Sequence, residues 1–454
     1  MSVVKAMLSR HRVIVSLLVT ISILVVALAA IFWARGFKPD FKTGRIERTG
    51  LIVANSTPTG AQVYLDDRLT SATNTTITYL EPKTYKVRIE KEGYTAWQKD
   101  IEVAADLASE IKALLFPTTP EIKPLTTTGS FNPTLSPDGT KIIYGATGQR
   151  AGLYLLPLPD RPLALGQVPK LLAKNTPQID YTKAKFIWAP DSKQVISQFN
   201  DELGNVTDNL LIDTEKTDQN PLDITASLTA TLRSWQQDLD ARAQTLSITV
   251  PQSIKDATQA ALPADKAGGQ AAEANLVESQ SQESKSRVKT DSTLPTLTLN
   301  YFPTGLIFSP DEEKVLYLDK NASPRSPRGE AGGEAGKYQV YDLKTKKNFT
   351  LPLAAQTSRE QTSPGSAGGQ ADLANLLAIS WYPDSGHLVV AQNPPGGGQI
   401  SIIEFDGSNK MIIYSGKFEN NFVFAHPSGT RLIILTTLTQ QEGSPPNLYS
   451  VNLK

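Results

Sequence analysis

The chain of 454 residues contains no cysteine. That absence removes disulfides, thiolate nucleophiles and thiolate metal sites together. It leaves the compartment open, because an exported domain with large cores holds together without disulfides. Histidine is almost as scarce, with only His11, His387 and His426. Net charge is absent too: 45 basic residues balance 45 acidic ones. A neutral chain has no general field to attract nucleic acid, so no nucleic-acid partner is expected. The Gly-x-Ser-x-Gly elbow, the P-loop, the Rossmann glycine fingerprint and His-Glu-x-x-His are all missing. No catalytic residue, cofactor or metal ligand is therefore assigned from sequence, and the ligand-binding residues stay unknown. His387 and His426 are isolated from each other and from any ligand cluster, the usual condition of a surface or core histidine.

One long apolar run is present. Residues 13–33, VIVSLLVTISILVVALAAIFW, hold 21 residues without a charge. About 20 apolar residues span a bilayer core. Lys5, Arg10 and Arg12 precede the run, and Trp33 suits an interfacial anchor. A cleaved signal peptide is the competing reading, with ALA at 27–29 as the cleavage signal. Signal cores run about 7 to 15 residues, whereas this one stays apolar through Ile31, Phe32 and Trp33. The expectation is a single-pass anchor in the plasma membrane, with residues 1–12 inside and the bulk outside. Arg35, Lys38, Lys42, Arg45 and Arg48 form a basic linker over 34–49. That flank does not favour the N-terminus as inside, but long domains translocate largely regardless of flanking charge.

From 50 to 116 the chain alternates and turns in the manner of a small all-β sandwich. Strands are expected at 51–54, 62–65, 76–80, 85–91 and 97–103. The stretches STPTGAQVYLDD and TITYLEPKTYKVRIEKEGYTAW resemble the PEGA domain family. The resemblance rests on Pro58, Gly60, Ala61, Val63, Tyr64, Asp66, Leu80, Pro82, Tyr85, Gly93, Tyr94 and Trp97. The sequence departs from the family at Thr59, Asp67 and Lys83, and the two lost glycines imply altered turns. The resemblance implies an exported, envelope location and no catalytic residues. Asp66 and Asp67 read as turn-formers bonding local amides rather than as metal ligands.

Beyond 117 one hairpin recurs five times: LSPDGTKIIYGA, IWAPDSKQVISQ, IFSPDEEKVLYL, SWYPDSGHLVVA and VFAHPSGTRLII. Their prolines are Pro137, Pro190, Pro310, Pro383 and Pro427, spaced by 53, 120, 73 and 44 residues. Leu135, Trp188, Phe308, Trp381 and Phe424 precede the turns, and apolar runs follow them. Proline fixes one turn torsion, Asp or Ser accepts from the next amides, and Gly tolerates a left-handed residue. Asp138, Asp191, Asp311 and Asp384 are read as turn caps. An acidic ring or calcium sites is the alternative. Each copy offers three to four strands, which means a propeller blade that cannot fold alone. SPDGTKIIY and SPDEEKVLYL resemble TolB-type, WD-repeat-like β-propellers. Five blades are visible. A sixth is possible between 200 and 300 or in the opening PEIKPLTTTGSF, whose strand is the candidate to close the ring.

The 120-residue gap carries an insert over 214–297. Leu228, Leu232, Trp235, Leu239 and Leu246 fall on one helical face, with Asp223 or Ser227 as cap and a second short helix over 253–261. The expectation is that this face packs on the propeller flank. Three Gly/Ala-rich patches, 263–275, 322–336 and 363–375, read as loops.

The reading is thus all-β: an N-terminal helix, a PEGA-like sandwich over 50–116 and a β-propeller over 117–454 with flexible loops 320–337 and 356–375. The expected role is a non-catalytic binding or scaffold module outside the cell, for a protein, peptide or cell-wall glycan. The alternative is a propeller enzyme acting on envelope polysaccharide. A sensor is weaker, since twelve residues before the helix leave little room for an output domain. The channel mouth discriminates: clustered carboxylates with polar neighbours favour the enzyme, and an apolar mouth favours the binder.

Overall fold

The computed structural model describes residues 2–34, 37–40, 45–158, 168–201, 206–258, 306–319, 337–353, 376–394, 397–419, 422–438 and 443–454. The three Gly/Ala-rich patches and the part of the insert after 258 lie outside the described residues. The chain divides into two compact units, Met1–Thr119 and Pro120–Lys454.

The first unit begins with helix α1, Ser2–Ala34. Its described side chains are those of 15–31, and the large apolar ones among them are exposed. Among the described residues, no helix is long and apolar enough to cross a membrane. A two-stranded antiparallel sheet, Phe37–Asp40 with Arg45–Arg48, comes next.

The sandwich follows. One sheet orders Thr75–Leu80, Gly50–Thr57 and Ala108–Leu114, the last pair being parallel. The other orders Arg68–Ala72, Gln62–Leu65, Thr84–Glu90 and Trp97–Glu102, all antiparallel. Alternation along Gly50–Thr57 and Thr84–Glu90 turns one face inward, as the two-residue strand period requires. Ile52, Val63, Val87, Ile89, Trp97 and Ile111 form the shared core. Two of the seven strands were not expected from sequence. Arg68–Ala72 is an edge strand with almost no buried face, and Ala108–Leu114, of sequence ASEIKAL, is made of good helix formers. Pairing to a buried neighbour decides both.

The turn after Leu65 also corrects the sequence reading. Asp66 and Asp67 have φ of 48° and 63°, the left-handed pair of a type I′ hairpin turn. Aspartate tolerates that region, so the turn survives the loss of glycine.

The second unit contains, among the described residues, five four-stranded antiparallel sheets. Blade one is Phe131–Leu135, Lys141–Ala146, Gly152–Pro157 and Lys170–Lys174. Blade two is Lys185–Trp188, Gln194–Asn200, Val206–Asp213 and Leu222–Asp223. Blade three is Leu306–Phe308, Lys314–Asp319, Lys337–Asp342 and Lys347–Thr350. Blade four is Leu376–Trp381, His387–Gln392, Gln399–Glu404 and Met411–Ser415. Blade five joins Val423–Ala425, Arg431–Thr436 and Asn447–Asn452 to Ile122–Pro124 from the start of the unit. The opening stretch therefore closes the ring rather than starting a sixth blade. Leu222–Asp223, inside the stretch read as insert, is blade two's fourth strand.

Both faces of a blade are buried, which is why the second strands are continuous apolar runs. In blade one, Ile143 packs with Phe186, Trp188 and Val195 of blade two. Its neighbours Ile142 and Tyr144 turn the other way, onto Phe424, Ile433 and Leu448 of blade five. Leu316 and Val340 of blade three meet Trp381, Leu388 and Ile403 of blade four in the same manner. Sheets that bury both faces on successive neighbours and join first strand to last form a β-propeller.

Two helices interrupt the step from blade two to blade three: α2, Leu228–Ser247, and α3, Gln252–Thr258. Thr225 accepts the Asn209 N–H at 2.9 Å before α2. After it, Val250 and Ile254 are buried with Leu306, Val315 and Tyr317 of blade three. The described stretch of the insertion is thus tied to blade two before α2 and to blade three after it.

Candidate functional site

The five recurrent turns share one backbone design. In each, the fourth residue donates its N–H to the first residue's carbonyl: Gly139 to Ser136, Ser192 to Ala189, Glu312 to Ser309, Ser385 to Tyr382 and Gly429 to His426, at 2.8–3.1 Å. That fourth residue has φ between 56° and 71° in all five copies. This is a type I turn followed by a left-handed residue, which needs no glycine if another residue bears the strain. The register is equally constant. Leu135 faces Ile142, Trp188 faces Val195, Phe308 faces Val315, Trp381 faces Leu388 and Ala425 faces Leu432. In the fifth copy it is Ala425, not Phe424, that holds the register position.

The recurrent aspartates act inside these turns. Asp138 Oδ1 accepts from Ser136 Oγ at 2.6 Å and from Thr140 N at 3.0 Å. Asp191 Oδ1 accepts from Lys193 N. Asp311 Oδ1 accepts from Ser309 Oγ at 2.5 Å and from Glu313 N at 3.1 Å. Asp384 Oδ1 accepts from Gly386 N and His387 N, and its Oδ2 lies 2.6 Å from His387 Nδ1. Burial pushes the Asp138 carboxyl up, but the bonds from Ser136 and Thr140 outweigh it and hold the group below the ordinary carboxylate range. Asp311 is the same: burial raises it, and Ser309 and Glu313 bring it below the ordinary value.

The two histidines are buried within turns. His387 is 4% exposed and held by Asp384. His426 is 1% exposed, replaces the first serine of its copy, and sits between Ser428 and Arg431. Burial lowers the Arg431 guanidinium below its ordinary value. Asp66 and Asp67 of the sandwich pair with Lys83 at 2.8 Å and Arg88 at 3.8 Å. Among the described residues, no group of three His, Cys, Asp or Glu is placed to hold a metal.

The turns converge on a cavity of about 610 Å³, within the usual size range of ligand sites. Every blade contributes. The five turn prolines, Pro137, Pro190, Pro310, Pro383 and Pro427, all line it. The first strands add Leu135, Ile307, Phe308, Ile379, Trp381 and Phe424. This is the mouth of the central channel on the turn side.

Helix α2 lies over that mouth. Its Asp238, Leu239 and Leu246 line the same cavity. Leu228, Leu232, Trp235, Leu239 and Leu246 are all half-buried, while Arg233, Asp238 and Gln244 are exposed. The helical face is the one the spacing predicts, but its destination is the channel mouth and not the propeller flank. Ser227 stands at the N-cap without a capping bond, its hydroxyl donating back to Ile224 O, and Asp223 caps the preceding turn by accepting from Thr225 N.

Sequence reasoning did not find Ser380 or Glu312. Ser380 lies on the first strand of blade four, 6% exposed, with no hydrogen-bond partner for its hydroxyl. A serine in an apolar strand carries no sequence signal of its own. Glu312 takes the left-handed place that glycine holds in blades one and five, and that substitution is visible in the aligned copies.

Residues 49–118 match the PEGA domain model. No curated protein matches the chain. Among solved structures, TolB from Acinetobacter baumannii is 11% identical, covering 95% of this chain and 68% of its own, with a TM-score of 0.22. A protein described as TolB from Agrobacterium tumefaciens is 14% identical over 70% of this chain and 74% of its own, at a TM-score of 0.22. The β-propeller domain of the Trilobed protease from Pyrococcus furiosus is 11% identical over 89% and 93%, at 0.24. The propeller assignment itself rests on the sheet order and ring closure described above.

Proposed function

We propose that the protein is an envelope-facing, membrane-anchored binding module that holds a peptide or protein segment at the channel mouth of its propeller. One observation carries this reading: a cavity walled by five turn prolines and the apolar side chains of four first strands. Such walls shed water onto apolar ligand groups. The aspartates of four of the turns cap their own loops, which weighs against a pair of free carboxylates for glycoside chemistry. The envelope location is supported by the PEGA match and by the uncharged run of residues 13–33, long enough for a bilayer core.

The test is site-specific photo-crosslinking in intact cells. A crosslinker replaces Glu312 at the mouth or, as control, exposed Lys347 in the outer strand of blade three. The expected result is a discrete protein adduct from position 312 and not from 347. Equal adducts from both positions, or none from 312, would overturn the reading.

A further inference from the structure

Burial changes abruptly at the two ends of α2. Before it, Ile224 is 5% exposed and donates its N–H to Asn209 O at 2.9 Å, while Thr225 Oγ accepts the Asn209 N–H. After it, Val250 and Ile254 are 3% and 6% exposed in the core of blade three. Between these anchors no described side chain of α2 is fully buried. Leu239 and Leu246 line the channel mouth, yet among the described residues the buried clusters of the blades include none from α2. The helix is also weakly ended. Ser227 makes no capping bond, the first turn holds no acid and the last turn no base, so the usual stabilisers of helix termini are missing. A helix in a protein owes most of its stability to the packing of one face, and α2 packs that face only by halves. Its persistence therefore depends on Leu239 and Leu246 staying at the mouth.

We propose that α2 is a displaceable cover: a segment of the chain that occupies the mouth in place of an amphipathic partner helix, and leaves it by unwinding between its two anchors. The inference rests on the reading of the mouth as a protein-binding site and adds that the resting site is filled from within. The partner presents apolar residues seven positions apart, as Leu239 and Leu246 do. Unwinding suits the anchors. A rigid helix pinned at both ends cannot swing aside, whereas unwound chain reaches about twice as far per residue and clears the mouth with both ends in place. Tethering holds α2 at an effective concentration of about millimolar. A free helix with the same contacts is therefore excluded until α2 is weakened.

A fluorescein-labelled peptide of residues 226–249 is the probe, with the full chain in neutral detergent and binding read by anisotropy. It is expected to bind the variant Leu239→Ala with Leu246→Ala about tenfold tighter than the native chain, because the variant's own helix no longer competes. A peptide with both leucines replaced by alanine should bind neither. Ala241 is exposed and stands outside the cavity lining. Ala241→Gly weakens the helix without touching the mouth and is expected to tighten the probe about fivefold. Hydrogen exchange supplies a measurement without a probe. In the native chain the α2 amides should exchange about a hundredfold faster than those of Lys314–Asp319 in blade three, and Ala241→Gly should speed them about fivefold more. Equal probe binding to the native chain and both variants would overturn the cover, as would α2 exchange as slow as that of blade three. No probe binding to any form, with a protein adduct still captured from position 312, would make α2 a fixed wall and leave the binding reading standing. No probe binding and no adduct would remove both.

Discussion

The hydroxyl of Ser192 accepts the backbone N–H of Asp138 at 3.1 Å, from one blade to the next. Ser385 does the same for Asp311 at 3.0 Å, between blades three and four. Both serines occupy the left-handed place of their own turn, with φ of 61° and 56°. Alanine carries the same strain there, so Ser192→Ala isolates the bond, whereas Ser385→Ala also removes a hydrogen bond to the Asp311 carboxylate. Ser192→Ala and Ser385→Ala should each destabilise the propeller by about 0.5–1.5 kcal/mol, since a part-buried N–H loses its partner. The two sites share no partner, so the double variant should be additive. Urea denaturation of the three variants reads both expectations.

Acid should weaken the same turns. Asp138 and Asp311 are held below the ordinary carboxylate range in the fold. A group with a depressed folded value stabilises the fold above its unfolded value, about 3.9. That contribution is lost as pH falls through the lower folded value. The melting temperature should therefore be flat from pH 7 to about 5 and fall below about 4. Asp138→Asn with Asp311→Asn should flatten the acid limb. A limb of unchanged steepness in the double variant would assign the acid loss to other carboxylates.

Ring closure has a polar centre at Thr126, which is 5% exposed. Its hydroxyl meets Ser130 Oγ at 2.8 Å and Asn447 Oδ1 at 3.2 Å, and accepts the Leu448 N–H at 2.9 Å. Asn447 Oδ1 also accepts the Gly129 N–H at 3.0 Å. Thr126→Val keeps the shape and strands the Leu448 N–H. The cost should be about 1–3 kcal/mol. Hydrogen exchange should show the protection loss concentrated in Asn447–Asn452 rather than spread over the ring.

Helix α2 is seated by few side chains between two fixed ends. Leu239→Ala with Leu246→Ala should release it from the mouth at a cost of about 1–2 kcal/mol, below the full core value because both leucines are only half-buried. Trypsin should then cut at Arg233 several-fold faster, with the blades still protected.

Protease shaving of intact cells carrying a C-terminal tag tests the location. Loss of the tag with a cytoplasmic control spared is the expected outcome. A protected tag, where a known external protein is cleaved, would reverse the topology.

Much of this architecture is legible in the sequence because its units are local. Five Pro-containing turns, each flanked by two apolar residues that face each other seven positions apart, specify five hairpins without knowledge of the ring. The sandwich strands with alternating Val, Ile and Tyr are legible for the same reason. Arg68–Ala72 and Ala108–Leu114 are not, because their strand state comes from a partner strand and overrides composition. The stripe from Leu228 to Leu246 is legible as a helical face, while what it covers is not.

The sequence by itself determined the repeating hairpin, the turn role of Asp138, Asp191, Asp311 and Asp384, and the uncharged run near the N-terminus. These depend on spacing and on the torsions of single residues. Only the tertiary structure decided that Ile122–Pro124 pairs with Asn447–Asn452, that five turn prolines meet around one cavity, and that Ser380 and the carboxylates of four separate segments share it. Those relations join residues hundreds of positions apart, and such contacts exist only once the blades have buried their faces on one another.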